Sequence, residues 1–152
     1  WNLEPRFSAM LLAWAARLHE IGLVISHASY HKHGEYILKH GDLQGFSQTD
    51  QKLLAALVRL HRGRLSLPAL DDLPTIWVEP IQKLTVVLRL AYLLHRSRTP
   101  GLKPPVRVQA ARRAISLEFT QKRWLDRHPL TRAELEQEIE VLAAAQMRLR
   151  LL

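Results

Sequence analysis

The spacing of apolar residues changes once along this 152-residue chain, and the change limits the folds open to it. Up to about residue 98 apolar residues recur with the 3.6-residue period of amphipathic helices. Beyond Pro105 they alternate with period two. Between the two lies 99–105, with Pro100, Gly101, Pro104 and Pro105, which reads as a linker. The expected fold is mainly α: a helical domain over 1–98, then a small α+β subdomain over 106–152 made of a β-hairpin and a long helix.

Phe7, Leu11, Trp14 and Leu18 form one stripe and predict a helix over 6–21, with Gly22 at its end. Residues 23–29 read as irregular, and a short helix follows from Tyr30 to His40. Ser47 with Asp50 predicts a capped helix running to about Arg62. Leu54, Leu57, Val58 and His61 share one face of it; Lys52, Ala55, Ala56, Arg59 and Arg62 share the other. That second face is either a path for an extended anion or a solvated surface. Pro68, Pro74 and Pro80 make 66–80 a loop, and a helix from Ile81 to about Arg98 turns Leu84, Val87, Leu88, Ala91, Leu94 and His95 inward. Val106, Val108, Ile115, Leu117 and Phe119 predict the hairpin, although its turn near Ala110–Arg113 lacks Gly or Asn. The last helix is expected over Thr131–Leu152, about 33 Å long, with a Thr131–Glu134 capping box. Its stripe of Leu135, Ile139, Leu142 and Leu149 either packs internally or supports a homodimer.

Charge says most about partners. Lys and Arg number 22 against 14 acids, a net +8 with a pI near 10.4, shared equally by the two sides of residue 98. Such a surface attracts polyanions. Aromatics are only 7%, with no stacking series and no groove-reading motif, so no specific nucleic-acid partner is expected. The absence of Cys excludes disulfides, a thiolate nucleophile and Cys-based zinc. No uninterrupted apolar run reaches the ~18 residues of a membrane span, and no secretory leader is visible. A cytoplasmic location without membrane attachment is therefore expected. The first residue is Trp, so a piece of a longer protein is expected.

Among eight His, five fall between residues 19 and 40: His19, His27, His31, His33 and His40. Their spacing does not make the zinc metalloprotease signature, because Leu23 stands where its second His would be. Gly41, Gly45 and Gly63 are too scattered for a Walker loop, and no nucleophile elbow is present. Asp71 and Asp72 read as paired carboxylates or as a turn.

The run Trp14-Ala15-Ala16-Arg17-Leu18-His19-Glu20-Ile21-Gly22 resembles the helical region of the exopolyphosphatase and guanosine pentaphosphate phosphohydrolase family. So do Ile25 to His33, Tyr36-Ile37-Leu38, Gly45-Phe46-Ser47, Leu57 to Arg62 and Leu88-Arg89-Leu90-Ala91. The resemblance covers about 7–98, with weaker motifs from 104 onward. It implies an HD-phosphohydrolase-like helical bundle preceded, in the parent protein, by two actin-like lobes that hold the catalytic site and its magnesium. It implies a parent activity that releases terminal phosphate from polyphosphate or the γ-phosphate from guanosine pentaphosphate. The HD pattern is altered here: His19-Glu20 replaces His-Asp, and His95 stands near the place of a later Asp.

The leading expectation is a non-catalytic polyanion-holding and assembly domain with no cofactor of its own. Its candidate contacts are His31, Lys32, His33, Lys52, Arg59 and Arg62, since Arg suits forked phosphate contacts and Lys point-charge contacts. The alternative is an autonomous metal-dependent HD-type phosphohydrolase with His19, Glu20, His27 and His61 as ligands.

Overall fold

The apolar stripes of the first ninety residues become four helices in the computed structural model, which describes residues 1–96 and 103–152. Helix α1 is Pro5–Leu18, α2 is Tyr30–His40, α3 is Gln48–Leu60 and α4 is Thr75–His95; 3₁₀ turns occupy Ile21–Val24 and Leu67–Leu70. The described residues divide into two units, Asn2–Arg89 and Trp1 with Leu90–Leu152. The division falls within α4, and most of the expected linker lies outside the described residues.

Helix α3 is the centre of the first unit. Ser47 accepts from the Asp50 amide at 3.1 Å while the Asp50 carboxylate accepts from the Ser47 amide at 3.2 Å, the reciprocal cap expected there. Every residue from Leu53 to Val58 is buried, as expected of a helix packed on all sides. Leu11 and Ala15 of α1, Leu38 of α2, and Ile81, Leu84 and Leu88 of α4 complete the core. Each such leucine contributes on the order of 2 kcal/mol by leaving water. The idea of an open path along α3 therefore fails at its middle: Ala55 and Ala56 are 1% and 3% exposed, because helices cover both faces.

Two boundaries differ from expectation for physical reasons. Helix α4 begins at Thr75 and includes Pro80. The hydrogen bond that Pro80 cannot make would have gone to Ile76, whose exposure lets water replace it. The inward face is Ile81, Leu84, Thr85, Leu88 and Arg89, while Ala91 and His95 are exposed. The stretch Pro5–Val24 also reaches a mean hydropathy of 1.2, the level of a membrane span. Yet α1 stops at Leu18 after 14 residues, about 21 Å, short of the ~30 Å of a bilayer core.

One core residue is out of register with its surroundings. The Thr85 hydroxyl is fully buried and has no hydrogen-bond partner among the described residues. Thr85→Val removes that unpaired oxygen and keeps the shape, so urea unfolding should show a gain of about 1 kcal/mol. A loss of stability would mean that the hydroxyl has a partner.

In the second unit β1 (Val106–Ala111) and β2 (Ala114–Phe119) form the expected antiparallel hairpin, from Val106↔Phe119 to Ala111↔Ala114. Its two-residue turn, Arg112-Arg113, keeps both φ angles negative, so it needs neither Gly nor Asn. The short helix α5 is Trp124–Arg127 and α6 is Pro129–Ala144. Helix α6 does not reach Leu152. It closes at Gln146, whose φ is 59°, and Arg148–Leu151 forms β3, parallel to β2 with Ile115↔Leu149 and Leu117↔Leu151. The Thr131–Glu134 box does not form: α6 opens two residues earlier with Pro129 at its first position, and the Glu134 carboxylate is taken by Arg96. Leu135 and Leu142 are buried within the unit, so most of the α6 stripe packs internally.

Candidate anion-binding site

The first turn of α2 and the last turn of α3 bring together most of the residues singled out by charge. Tyr30 opens α2 and is buried; its ring lies 5.7 Å from that of His61. His61 follows the end of α3 and is buried as well. Its Nδ1 donates to the Val58 carbonyl at 2.7 Å, because a carbonyl can only accept. That bond sets the tautomer, leaving Nε2 to accept from the Tyr30 hydroxyl at 3.4 Å. The His19 ring, at the end of α1, meets His61 edge-on at 5.3 Å and donates from Nδ1 to the Ala16 carbonyl at 2.8 Å.

Around this aromatic centre stand cations. The Arg62 guanidinium lies over the Tyr30 ring at 4.7 Å. Arg59 pairs with Glu35 of α2 at 3.0 Å. Arg89 reaches from α4 and donates to the carbonyl of Leu60, the last residue of α3, at 2.8 Å. A guanidinium there suits the partial negative charge of a helix C-terminus. Gly63, with φ at 72°, turns the chain back so that its Cα side faces His31; a Cβ there would stand 3.7 Å from His31 Nε2.

The field of these groups is read out by two imidazoles. Burial, then Arg59, Arg62, Lys32 and Arg89, lowers the His31 pKa to about 4. Burial also lowers that of His61 to about 4, assisted by His19, His31 and Arg62 and opposed by the bond to Val58. Both rings are neutral at pH 7. The Nδ1 atom of His31 is buried without a hydrogen-bond partner among the described residues.

Of the expected polyanion contacts, His31, Lys32, Arg59 and Arg62 share one neighbourhood. Lys52 does not: it acts on Asp72, beside the Lys39–Asp72 ion pair, toward the other end of α3. His33 is two residues from His31 and so about 200° round α2. Arg89 was not among the expected contacts. It sits in an apolar stripe as a residue 4% exposed, and a cation at such a position was the available signal.

Of the alternative metal ligands, His19, Glu20 and His61 are neighbours, with His19 3.9 Å from Glu20 and its ring 5.3 Å from that of His61. His27 is exposed, with its ring 6.2 Å from Tyr30 rather than beside His19 and His61. Among the described residues no group of three or more His, Asp or Glu is placed to hold a metal ion. The centre does not fit magnesium, which takes oxygen ligands, because imidazoles and guanidiniums dominate it. What it can do chemically is hold an anion: Lys32 and Arg62 are exposed donors, while buried Arg89 supplies field rather than contact.

Comparison with known proteins shows the family of the chain. The Ppx/GppA phosphatase, domain III family matches residues 1–139. A protein of Vibrio cholerae serotype O1 named guanosine-5'-triphosphate,3'-diphosphate pyrophosphatase is 40% identical over 139 residues, 91% of this chain and 27% of that protein. Proteins of the same name from Pseudoalteromonas translucida and Aeromonas salmonicida are 36% identical over 138 residues and 34% identical over 140. These cover 91% and 92% of this chain, so it spans about a quarter of the relatives' length, 27% and 28%. With a mainly α first unit and a hairpin-bearing second one, the chain belongs to the Ppx/GppA phosphatase family, of which it carries domain III.

Proposed function

We propose that this chain holds the phosphate chain of polyphosphate or of a guanosine pentaphosphate, while hydrolysis resides in actin-like lobes of a longer parent protein. The observation that carries the reading is the convergence of Lys32, Arg59, Arg62 and Arg89 on a neutral His31. A phosphate chain carries closely spaced charge and no apolar face, so a field of fixed cations suffices to attract it. The relatives' names favour the guanosine compound. The magnesium of the reaction belongs with the lobes, and the setting is cytoplasmic. Assembly, with those lobes or with a second copy, is proposed to use the exposed apolar residues Met10 and Trp14 on α1 and Leu23, Val24 and Ile25 after it.

The test is a binding titration with long-chain polyphosphate across a range of salt. Affinity should fall steeply as salt rises, because bound counterions are released. Lys32→Glu with Arg62→Glu should weaken binding by about 10-fold or more and flatten the salt dependence by about two charges. Arg59 is left intact because reversing it would also break the pair with Glu35. Unchanged affinity in the double variant removes this cluster as the site. Rapid turnover of a phosphorylated compound by the 152-residue chain overturns the proposed division of labour.

A further inference from the structure

The second unit contains a cleft whose chemistry differs from that of the phosphate-holding cluster. Its volume is about 590 Å³, within the range of small-ligand sites. Arg112 and Arg113, the turn between β1 and β2, stand on its rim with Arg148, the first residue of β3. Ile139 and Ala143 of α6 and Met147 after it supply an aliphatic floor, and no carboxylate residue lines the cleft. None of the three arginines forms an ion pair with a described carboxylate.

The rim is fixed rather than loose. Met147 donates its amide to the Leu142 carbonyl at 2.9 Å, closing α6 through the left-handed Gln146. The Gln146 side chain then accepts from Arg113 at 2.8 Å, and the Arg148 amide donates to the Arg113 carbonyl at 2.9 Å. Three arginines with no carboxylate partner among the described residues thus border an apolar hollow. Polyphosphate would leave that floor empty, because it has no apolar part. A ligand that satisfies both features has an anionic head and a hydrocarbon body.

We propose that this cleft binds a free medium-chain aliphatic carboxylate, its head among Arg112, Arg113 and Arg148 and its chain on Ile139 and Met147. The chain's burial supplies the driving force and the arginines supply orientation and selectivity for the ionised head.

Calorimetric titration of the 152-residue chain with decanoate, below its micellar concentration, tests this. Saturable binding is expected, with butyrate and decanol each weaker by about 10-fold or more, the first for lack of apolar area and the second for lack of charge. Ala143→Phe fills the hollow from an exposed position and should abolish decanoate binding while the circular dichroism spectrum stays unchanged. Arg148→Gln should weaken decanoate by about 10-fold and leave decanol unaffected. Equal binding of decanol and decanoate, undiminished binding to a folded Ala143→Phe variant, or no saturable binding at all overturns the proposal.

Discussion

Replacing Gly22 with alanine should destabilise the first unit by about 4 kcal/mol, the largest single-site effect expected outside the leucine core. Gly22 is buried in the 3₁₀ turn after α1 and lies against the first turn of α2. A Cβ built on it would stand 1.9 Å from the Tyr30 carbonyl oxygen and 2.5 Å from the Gly34 amide nitrogen. Both are backbone atoms, so no rotamer change relieves the clash, and α2 must move. Moving α2 displaces Tyr30 from His61 and separates Lys32 from Arg59 and Arg62. Urea unfolding should therefore show a lowered midpoint, and polyphosphate binding should weaken even where the variant is folded. Gly45→Ala is the control: its added Cβ meets nothing within 4 Å, so only the positive φ of 90° is strained, at a cost of about 1 kcal/mol. If both variants lost the same small amount, close approach at Gly22 would not be what holds α2 in place.

Acidification should destabilise the protein well before its carboxylates titrate. His61 has a pKa of about 4 when folded, against about 6.5 in an unfolded chain. Between these values the unfolded chain takes up a proton that the folded protein refuses, so stability rises with pH. The contribution is complete above about pH 6.5 and lost as pH falls toward 4, and for buried His61 it amounts to about 3 kcal/mol. His31 titrates in the same direction, but its greater exposure makes its share smaller. Asp72, whose carboxyl Lys39 holds below its usual range, acts in the same direction at lower pH: its contribution is present above its unfolded value and lost as pH falls below it. Urea unfolding between pH 7 and pH 4.5 measures the effect. His61→Asn keeps a donor for the Val58 carbonyl but cannot titrate, and should flatten the dependence. A wild-type protein equally stable across that range would contradict a buried neutral His61.

The same residues show how far local pattern reaches. Helix α2 runs from Tyr30 to His40 as its flanking residues predict, and the Ser47–Asp50 cap forms, because both depend on interactions within a few residues. Charge counting pointed to His31, Lys32, Arg59 and Arg62, and the charges of Lys32, Arg59 and Arg62 all act on His31. It also pointed to Lys52, because position on one helix face was read as proximity to one ligand. A helix advances about 1.5 Å per residue, so Lys52 and Arg59 are about 10 Å apart along α3. Arg89 was missed since its partner, the Leu60 carbonyl, is 29 residues away. The clash that makes Gly22 necessary was also invisible: at a helix end a glycine already has a local explanation.

The C-terminus divides the two kinds of information most sharply. Local pattern alone determined that apolar residues would switch from helical to alternating spacing near Pro105, that a hairpin would follow, and that a helix would lead toward the end. It also set the basic character of the surface, since net charge is a property of composition. Whether Arg148–Leu151 continues that helix or becomes a strand was decided by β2, some thirty residues earlier, where Ile115 and Leu117 offer a parallel edge to Leu149 and Leu151. Four residues of alternating Arg and Leu fit either form on their own. Only the folded chain supplies the hydrogen-bonding edge and the apolar face that favour the strand.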